Sequence, residues 1–183
     1  MHEIEILDKP KIALCGKMRS GKDTVAFRLD IFYGLTSFKF SGGIHELVRQ
    51  YFPERVGDLK DRQLLIDIGQ FMRTINPDVW INYLDRAITK ANTSKGIVVT
   101  DVRQENEVSY LRKLGFTIVK VVSDDEKRIE RIKKSGDIFQ LDQLDSVPEL
   151  AVDAVDADYI IENNGSFYEL QKKVDELYNW LNK

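Results

Sequence analysis

The chain has 183 residues, with 27 Lys and Arg against 30 Asp and Glu, a formal net charge of −3 and 43% hydrophobic residues. This length predicts one domain with a sizeable core, and the charge balance excludes binding to nucleic acid or anionic membranes through a general positive field. Cys15, His2 and His45 are too few for a disulfide framework or a Cys/His zinc site, and we expect Cys15 and His45 to be packing residues. No apolar run reaches the ~20 residues that span a bilayer, and no signal-peptide pattern opens the chain, so we expect a cytoplasmic protein.

Short apolar runs alternate with helix signals along the chain. They cover residues 11–15, 96–101, 116–122 and 158–161, and a weaker run covers residues 36–40. Runs of this length are typical of parallel strands that are buried on both faces. The alternation predicts a three-layer α/β fold with a mostly parallel sheet, in which ligands bind beyond the carboxyl ends of the strands.

Capping residues predict where several helices begin. Ser123, Ser146 and Ser166 are each followed by Glu three residues later, which is the spacing of a capping box. Asn76 stands directly before a proline, a pair that favours a helix start because asparagine caps well and proline is tolerated at the first helical position. Apolar residues at helical spacing in Phe167–Leu181 predict a last helix that packs on the sheet.

The loop after the first predicted strand has the spacing of a phosphate-binding loop. It fits G-x-x-x-x-G-K, with Asp23 where Ser or Thr is usual and Thr24 one residue later. Gly16 and Gly21 allow successive amides to converge on an anion at the start of the next helix, and Lys22 places a positive charge on the outer phosphates. The spacing does not fit the dinucleotide pattern G-x-G-x-x-G, which disfavours a nicotinamide enzyme. We expect ATP to contact the whole loop: Gly16, Lys17, Met18, Arg19, Ser20, Gly21, Lys22, Asp23 and Thr24.

Oxygen donors for Mg²⁺ are expected beside this loop. Asp23 and Thr24 are both candidates, and the sequence leaves open which of them contacts the metal. Asp101 ends a predicted strand, where a nucleotide enzyme of this architecture places an acid toward the metal. A helix-capping aspartate is the alternative for Asp101.

Three further side chains are candidates for binding a phosphorylated acceptor. Gln70 and Arg73 lie one turn apart on a predicted helix, and Arg103 follows Asp101 by two residues, so strand alternation directs it to the same side. Surface salt bridges explain Arg73 equally well. Trp80 can stack on an acceptor or belong to the core.

Arg128 and Arg131 share one face of the helix predicted to begin at Ser123. A solvated basic helix is the common explanation for such a pair. The functional explanation is a lid that brings arginines over the transferring phosphates. In that case Arg128 or Arg131 would be catalytic together with Lys22.

These motifs resemble the deoxynucleoside monophosphate kinases of the phage type, from Lys11 to about residue 170. The matching stretches, in the same order, are residues 16–24, 69–73, 76–80, 100–107 and 158–165. The animal-type phosphomevalonate kinases are similar in the same places, with a Gly-Lys-x-x-Ser-Gly-Lys-Asp loop and a strand-end Asp-x-Arg.

Both resemblances imply ATP as donor, Mg²⁺, and an acceptor that already carries a phosphate. They imply Lys22 on the donor, Arg73 and Arg103 on the acceptor phosphate, and Arg128 or Arg131 in a lid. Residues 1–183 would form a single P-loop kinase domain, with an acceptor-binding helical region at about residues 41–92 and a lid at about residues 124–150.

The predicted function is transfer of the γ-phosphoryl group of ATP to a phosphate monoester, preferably a (deoxy)nucleoside monophosphate. A kinase for a non-nucleotide phosphate, such as phosphomevalonate or dephospho-coenzyme A, and a regulatory nucleotide-binding switch without an acceptor are the alternatives. We expect small-molecule partners only, with neither a nucleic acid polymer nor a membrane; the sequence does not indicate an oligomeric state.

Overall fold

The computed structural model describes residues 9–55, 62–91, 95–135 and 151–182. Within these ranges the strands are β1 (Lys11–Cys15), β2 (Thr36–Phe38), β3 (Ile97–Val102), β4 (Thr117–Val122) and β5 (Tyr159–Glu162). The helices are α1 (Lys22–Tyr33), α2 (Gly42–Tyr51), α3 (Arg62–Ile75), α4 (Val79–Lys90), α5 (Glu105–Lys113), α6 (Asp125–Ser135) and α7 (Phe167–Leu181). Parts of the predicted acceptor and lid regions lie outside the described residues, as does the helix start predicted at Ser146.

The five strands form one parallel sheet in the order β2-β3-β1-β4-β5. The central strand β1 pairs on both sides, so that Ala13 lies opposite Val99 of β3 and Ile118 of β4. All carboxyl ends therefore meet at one edge of the sheet. The predicted three-layer α/β fold is confirmed.

Alternating side chains of the strands build a core on each face of the sheet. In β1, Ile12 and Leu14 face α1 and α7, whereas Ala13 and Cys15 face the other helical layer, and all four are fully buried. This second layer contains α2, α4 and α5, with apolar residues of α3 against it. Because the strands are apolar on both faces, the sheet is covered on both sides.

The helix that follows the phosphate-binding loop is fixed to the last helix by one carboxylate. Asp175 of α7 accepts hydrogen bonds from Nε and Nη2 of Arg28, at 2.8 and 2.7 Å, and from the Tyr33 hydroxyl at 2.6 Å. The bond from Arg28 is the main cause that lowers the pKa of Asp175 below its usual value. This contact holds α1, and with it the end of the loop, against α7.

Two predicted helix starts need correction, and a third is confirmed. Helix α4 begins at Val79, two residues later than the start predicted after Asn76, because residues 77–78 form a turn; the Asn76 side chain still accepts from the Asp78 amide, as a cap would. Helix α6 begins at Asp125, and the Ser123 hydroxyl donates to the Asn163 carbonyl at 2.9 Å instead of forming a capping box. The capping box at the start of α7 forms as predicted.

No helix in the part of the chain that the structure describes combines the length and apolar character required to cross a bilayer.

Candidate active site

The loop between β1 and α1 wraps the start of α1. Gly16 and Gly21 have φ angles of 151° and 107°, a region that favours glycine because a Cβ is unfavourable there. Lys22, the first residue of α1, is buried, and its Nζ donates to the carbonyls of Gly16 at 2.6 Å and Lys17 at 2.9 Å. The lysine thus closes the loop on itself and brings its charge to the loop's concave side.

A cavity of about 760 Å³ opens at the carboxyl edge of the sheet. The loops after β1, β2, β3 and β5 all contribute to its wall, together with α2, α3 and α6. The predicted site residues that line it are Met18, Arg19, Gly21, Lys22, Asp23, Thr24, Gln70, Arg73, Asp101, Arg103 and Arg131. The structure therefore brings most of the predicted donor and acceptor residues to one cavity.

Other predicted loop residues point elsewhere. The Lys17 ammonium pairs with Asp153 at 2.8 Å, away from the cavity. Ser20 is buried, and its carbonyl accepts a hydrogen bond of 2.8 Å from Nδ2 of Asn163. Asn163 follows β5, the edge strand two positions from β1, so the loop is also fixed by the segment after that strand.

The two arginines of α6 have different positions. Arg131 lines the cavity and donates to the carbonyls of Arg19 at 3.2 Å and Asn163 at 2.9 Å. Arg128 is only 4% exposed and does not line the cavity; its Nε donates to the Met18 carbonyl at 2.9 Å. Of the pair, Arg131 is therefore the one placed to contact a ligand, and Arg128 supports the loop from behind.

The two arginines that the sequence predicts to bind an acceptor come from separate elements. Arg73 lies near the end of α3 and pairs with Glu107 of α5 at 2.9 Å. Arg103 belongs to the short loop between β3 and α5, and Gln70 precedes Arg73 by one turn. All of these side chains line the cavity.

Trp80 corrects a prediction. Its side chain is 4% exposed, it packs in the core beside α2, and its Nε1 donates to the Gly69 carbonyl at 3.1 Å. Its ring does not line the cavity, so it does not stack on a ligand there. The core interpretation holds because the indole finds its hydrogen-bond partner inside the protein.

The predicted metal ligands also differ in position. Asp23, Thr24 and Asp101 all line the cavity, but the Asp23 side chain is 86% exposed and lies 3.6 Å from the Lys39 ammonium. Asp101 accepts the amides of Phe40 and Ser41, at 2.8 and 2.9 Å, one on each carboxylate oxygen. Its carboxylate therefore fixes the turn between β2 and α2 as well as facing the cavity.

Mg²⁺ is compatible with these donors. In the described ranges no three acidic, His or Cys side chains cluster as a metal cage. Mg²⁺ keeps several waters and is bound through one or two protein oxygens together with substrate phosphates. The Thr24 hydroxyl fits such a site, as do the carboxylate lone pairs of Asp101 that do not accept the Phe40 and Ser41 amides.

Several lining residues were not predicted as ligand contacts. His45 lines the cavity, half-buried, although the sequence favoured a packing role, and Lys39 and Gln104 also line it. Glu107 had one usable signal, its capping-box spacing from Gln104. Burial raises the pKa of the Cys15 thiol to about 11, so Cys15 is a protonated packing residue, as expected.

The fold and the loop together define the class of protein. A parallel sheet in the order 2-3-1-4-5 with a glycine-rich loop between its central strand and α1 is a three-layer α/β P-loop NTPase fold. The family model described as an AAA domain matches residues 12–145, and the chain belongs to this family.

Solved structures with the same fold include kinases. TT1252 from Thermus thermophilus aligns with a TM-score of 0.62 at 18% identity, covering 96% of this chain and 99% of that one. Shikimate kinase from Acinetobacter baumannii in complex with shikimate aligns with a TM-score of 0.57 at 18% identity, covering 95% of both chains. The APS kinase CysC of Mycobacterium tuberculosis, in complex with AMPPNP and APS, aligns with a TM-score of 0.52 at 13% identity, covering 93% of this chain and 98% of that one. No curated protein matches this sequence significantly.

Proposed function

We propose that this protein transfers the γ-phosphoryl group of ATP to a phosphate monoester. The observation that supports the proposal is one cavity that is lined by the P-loop lysine, Lys22, and also by Arg73 and Arg103. An NTP-driven switch does not need a second set of cations in the same cavity. A phosphotransferase does need them, because it must bring two anions together.

On the donor side, the loop amides and Lys22 hold the outer phosphates, where charge builds up during transfer. Arg131 is within the cavity to add a further positive charge. Thr24 and Asp101 would hold Mg²⁺, which neutralises phosphate charge when bound.

On the acceptor side, a phosphate oxygen is already nucleophilic, so the residues need only to position it. Arg73 and Arg103 supply planar guanidinium groups that suit a phosphate monoester. No general base is required in this scheme, and catalysis comes from orientation and charge stabilisation.

The preferred acceptor in this proposal is a (deoxy)nucleoside monophosphate. The apolar residues Ile44, Leu65 and Ile66 line the same cavity as Gln70, whose side chain carries an amide. Apolar walls with one hydrogen-bonding amide suit a flat, polar-edged base. The APS kinase structure, which holds AMPPNP and APS, supports a fold with room for a nucleotide and an acceptor together.

An acceptor panel tests the proposal. With ATP and Mg²⁺, we expect ADP release to depend on an added nucleoside monophosphate, measured for deoxy- and ribonucleotides in parallel. Phosphomevalonate and dephospho-coenzyme A serve as non-nucleotide acceptors, and turnover with either alone would reject the nucleotide acceptor. Acceptor-independent ADP release, or ATP binding without turnover, would reject the phosphotransferase and favour the switch.

Arg103→Ala should raise the acceptor KM by about 10- to 100-fold, because a charged hydrogen bond contributes about 1.5–3 kcal/mol. The Kd for an ATP analogue, measured by calorimetry, should stay within about twofold. Arg86→Ala is the matched control, since Arg86 is exposed on α4 and does not line the cavity. An unchanged acceptor KM in folded Arg103→Ala would remove Arg103 from the site.

A further inference from the structure

Glu107 is a buried carboxylate in the wall of the cavity. It lies in the first turn of α5 and is 2% exposed. Burial raises its pKa, and hydrogen bonds from the Arg103 amide and the charge of Arg73 act in the opposite direction. A buried charge is unfavourable unless hydrogen bonds and a partner compensate it, so its contacts indicate what it does.

The carboxylate connects two structural elements. Its Oε2 accepts the amides of Arg103 at 2.9 Å and Gln104 at 3.1 Å, which fixes the backbone between β3 and α5. Its Oε1 accepts a hydrogen bond of 2.9 Å from Nη2 of Arg73 on α3. Capping α5 requires only the first set of bonds, and the second reaches a different helix.

Arg73 is held from a second direction. Its Nη1 donates to the Gly69 carbonyl at 3.3 Å, one turn earlier in α3. That carbonyl also accepts Nε1 of Trp80. The bonds from Arg73 to the Gly69 carbonyl and to Glu107 use two of its five N–H donors, so the planar guanidinium is oriented while other donors remain for a ligand.

The position of the carboxylate is also favourable electrostatically. Arg73 and Arg103 both line the cavity, and two cations directed at one anion repel each other while that anion is absent. A negative charge bonded to Arg73 and to the amide of Arg103 offsets this repulsion. The arginines can then keep their positions before the acceptor binds, and such preorganisation lowers the cost of binding.

We propose that Glu107 is a positioning residue that presets the Arg73 guanidinium and the Arg103 loop for the phosphate of the acceptor. The inference rests on the proposed function and assigns a role to a residue that does not itself touch the transferring group. In this proposal one carboxylate, bonded both to α3 and to the β3–α5 loop, keeps the acceptor site rigid.

The test compares Glu107→Gln with Glu105→Gln, an exposed carboxylate on the same helix turn. Glu107→Gln should raise the acceptor KM about 10- to 100-fold, because misplacement of a positioning group costs that much. The Kd for an ATP analogue should not change, and Glu105→Gln should match the wild type in both. A wild-type acceptor KM in folded Glu107→Gln would overturn the inference.

A double-mutant cycle with Arg73→Ala separates positioning from general destabilisation. If Glu107 acts through Arg73, the double variant Arg73→Ala/Glu107→Gln has an acceptor KM close to that of the worse single variant. If the fold change in acceptor KM of the double variant equals the product of the two single fold changes, the inference is overturned. If Glu107→Gln is too unstable, Glu107→Asp, which keeps the charge on a shorter side chain, should show the same selective rise, and a wild-type KM would count against the role.

Binding without turnover keeps this inference distinct from the proposed function. Nucleoside monophosphates and inorganic phosphate are titrated into the wild type and Glu107→Gln in the absence of ATP. If the wild type binds and Glu107→Gln binds about tenfold or more weakly, the positioning role stands even where no transfer occurs, and only the proposed function fails. If both bind equally, the positioning role fails; if the wild type binds neither probe, both proposals fail.

Discussion

Lys22→Ala should lower kcat by about 10²- to 10³-fold, because the variant loses a fixed positive charge at the phosphates where charge develops. The ammonium lies against the Gly16 and Lys17 carbonyls, so it is already oriented before a ligand arrives. Removal leaves these carbonyls without that donor, and we expect a loss of about 1–3 kcal/mol in the free energy of unfolding. ADP release measures the first effect and chemical unfolding the second.

Lys17→Ala is the control for this prediction. Lys17 belongs to the same loop, but its ammonium pairs with Asp153 and does not line the cavity. The control should retain kcat within about twofold, because the Lys17–Asp153 pair is partly solvated and lies outside the cavity. A folded Lys22→Ala enzyme with a kcat near that of Lys17→Ala would show that Lys22 does not stabilise the transferring group.

Gly21→Ala is expected to abolish ATP binding and to destabilise the fold. Gly21 has a φ of 107°, and a Cβ there would clash with Nδ2 of Asn163. The backbone conformation costs about 1–2 kcal/mol for an L residue, and displacing Asn163 from the Ser20 carbonyl adds about 1–3 kcal/mol. Calorimetry with an ATP analogue and thermal unfolding check both effects.

Gly115→Ala isolates the contribution of backbone conformation. Gly115 has a φ of 79°, and a Cβ there would have no atom within 4 Å. It should lose about 1–2 kcal/mol of stability and bind the ATP analogue like the wild type. If Gly21→Ala binds the analogue equally well, the close approach of Asn163 to the loop is not required for nucleotide binding.

Local patterns predict the sheet well. Residues 11–15 form β1 as expected, and the later strands differ from the predicted runs by one or two residues, because buried parallel strands are marked by continuous apolar runs. Phe167–Leu181 is confirmed at both bounds. The two wrong helix starts have different causes: Asn76 accepts the Asp78 amide, but a turn still precedes Val79, whereas the Ser123 hydroxyl donates to the Asn163 carbonyl in a neighbouring loop.

The candidate site is predicted in part for a physical reason. The phosphate loop is contiguous in sequence, so spacing alone indicates it. The wall proposed to bind the acceptor is not contiguous in sequence, and the pairing of Arg73 with Glu107 joins residues 34 positions apart. Likewise, the two arginines of α6 share a helix face, but only the folded chain shows that Arg128 turns toward the Met18 carbonyl while Arg131 lines the cavity.

Strand β3 links correct folding to the completeness of the site. It pairs with both β1 and β2, and its Asp101 fixes the turn before α2 through two backbone amides. A slip of one residue in β3 would reverse the faces of its side chains. The misaligned chain would keep its phosphate loop on β1 but would lose the part of the cavity wall formed by Asp101 and Arg103, and so would retain the proposed nucleotide site without the proposed acceptor site.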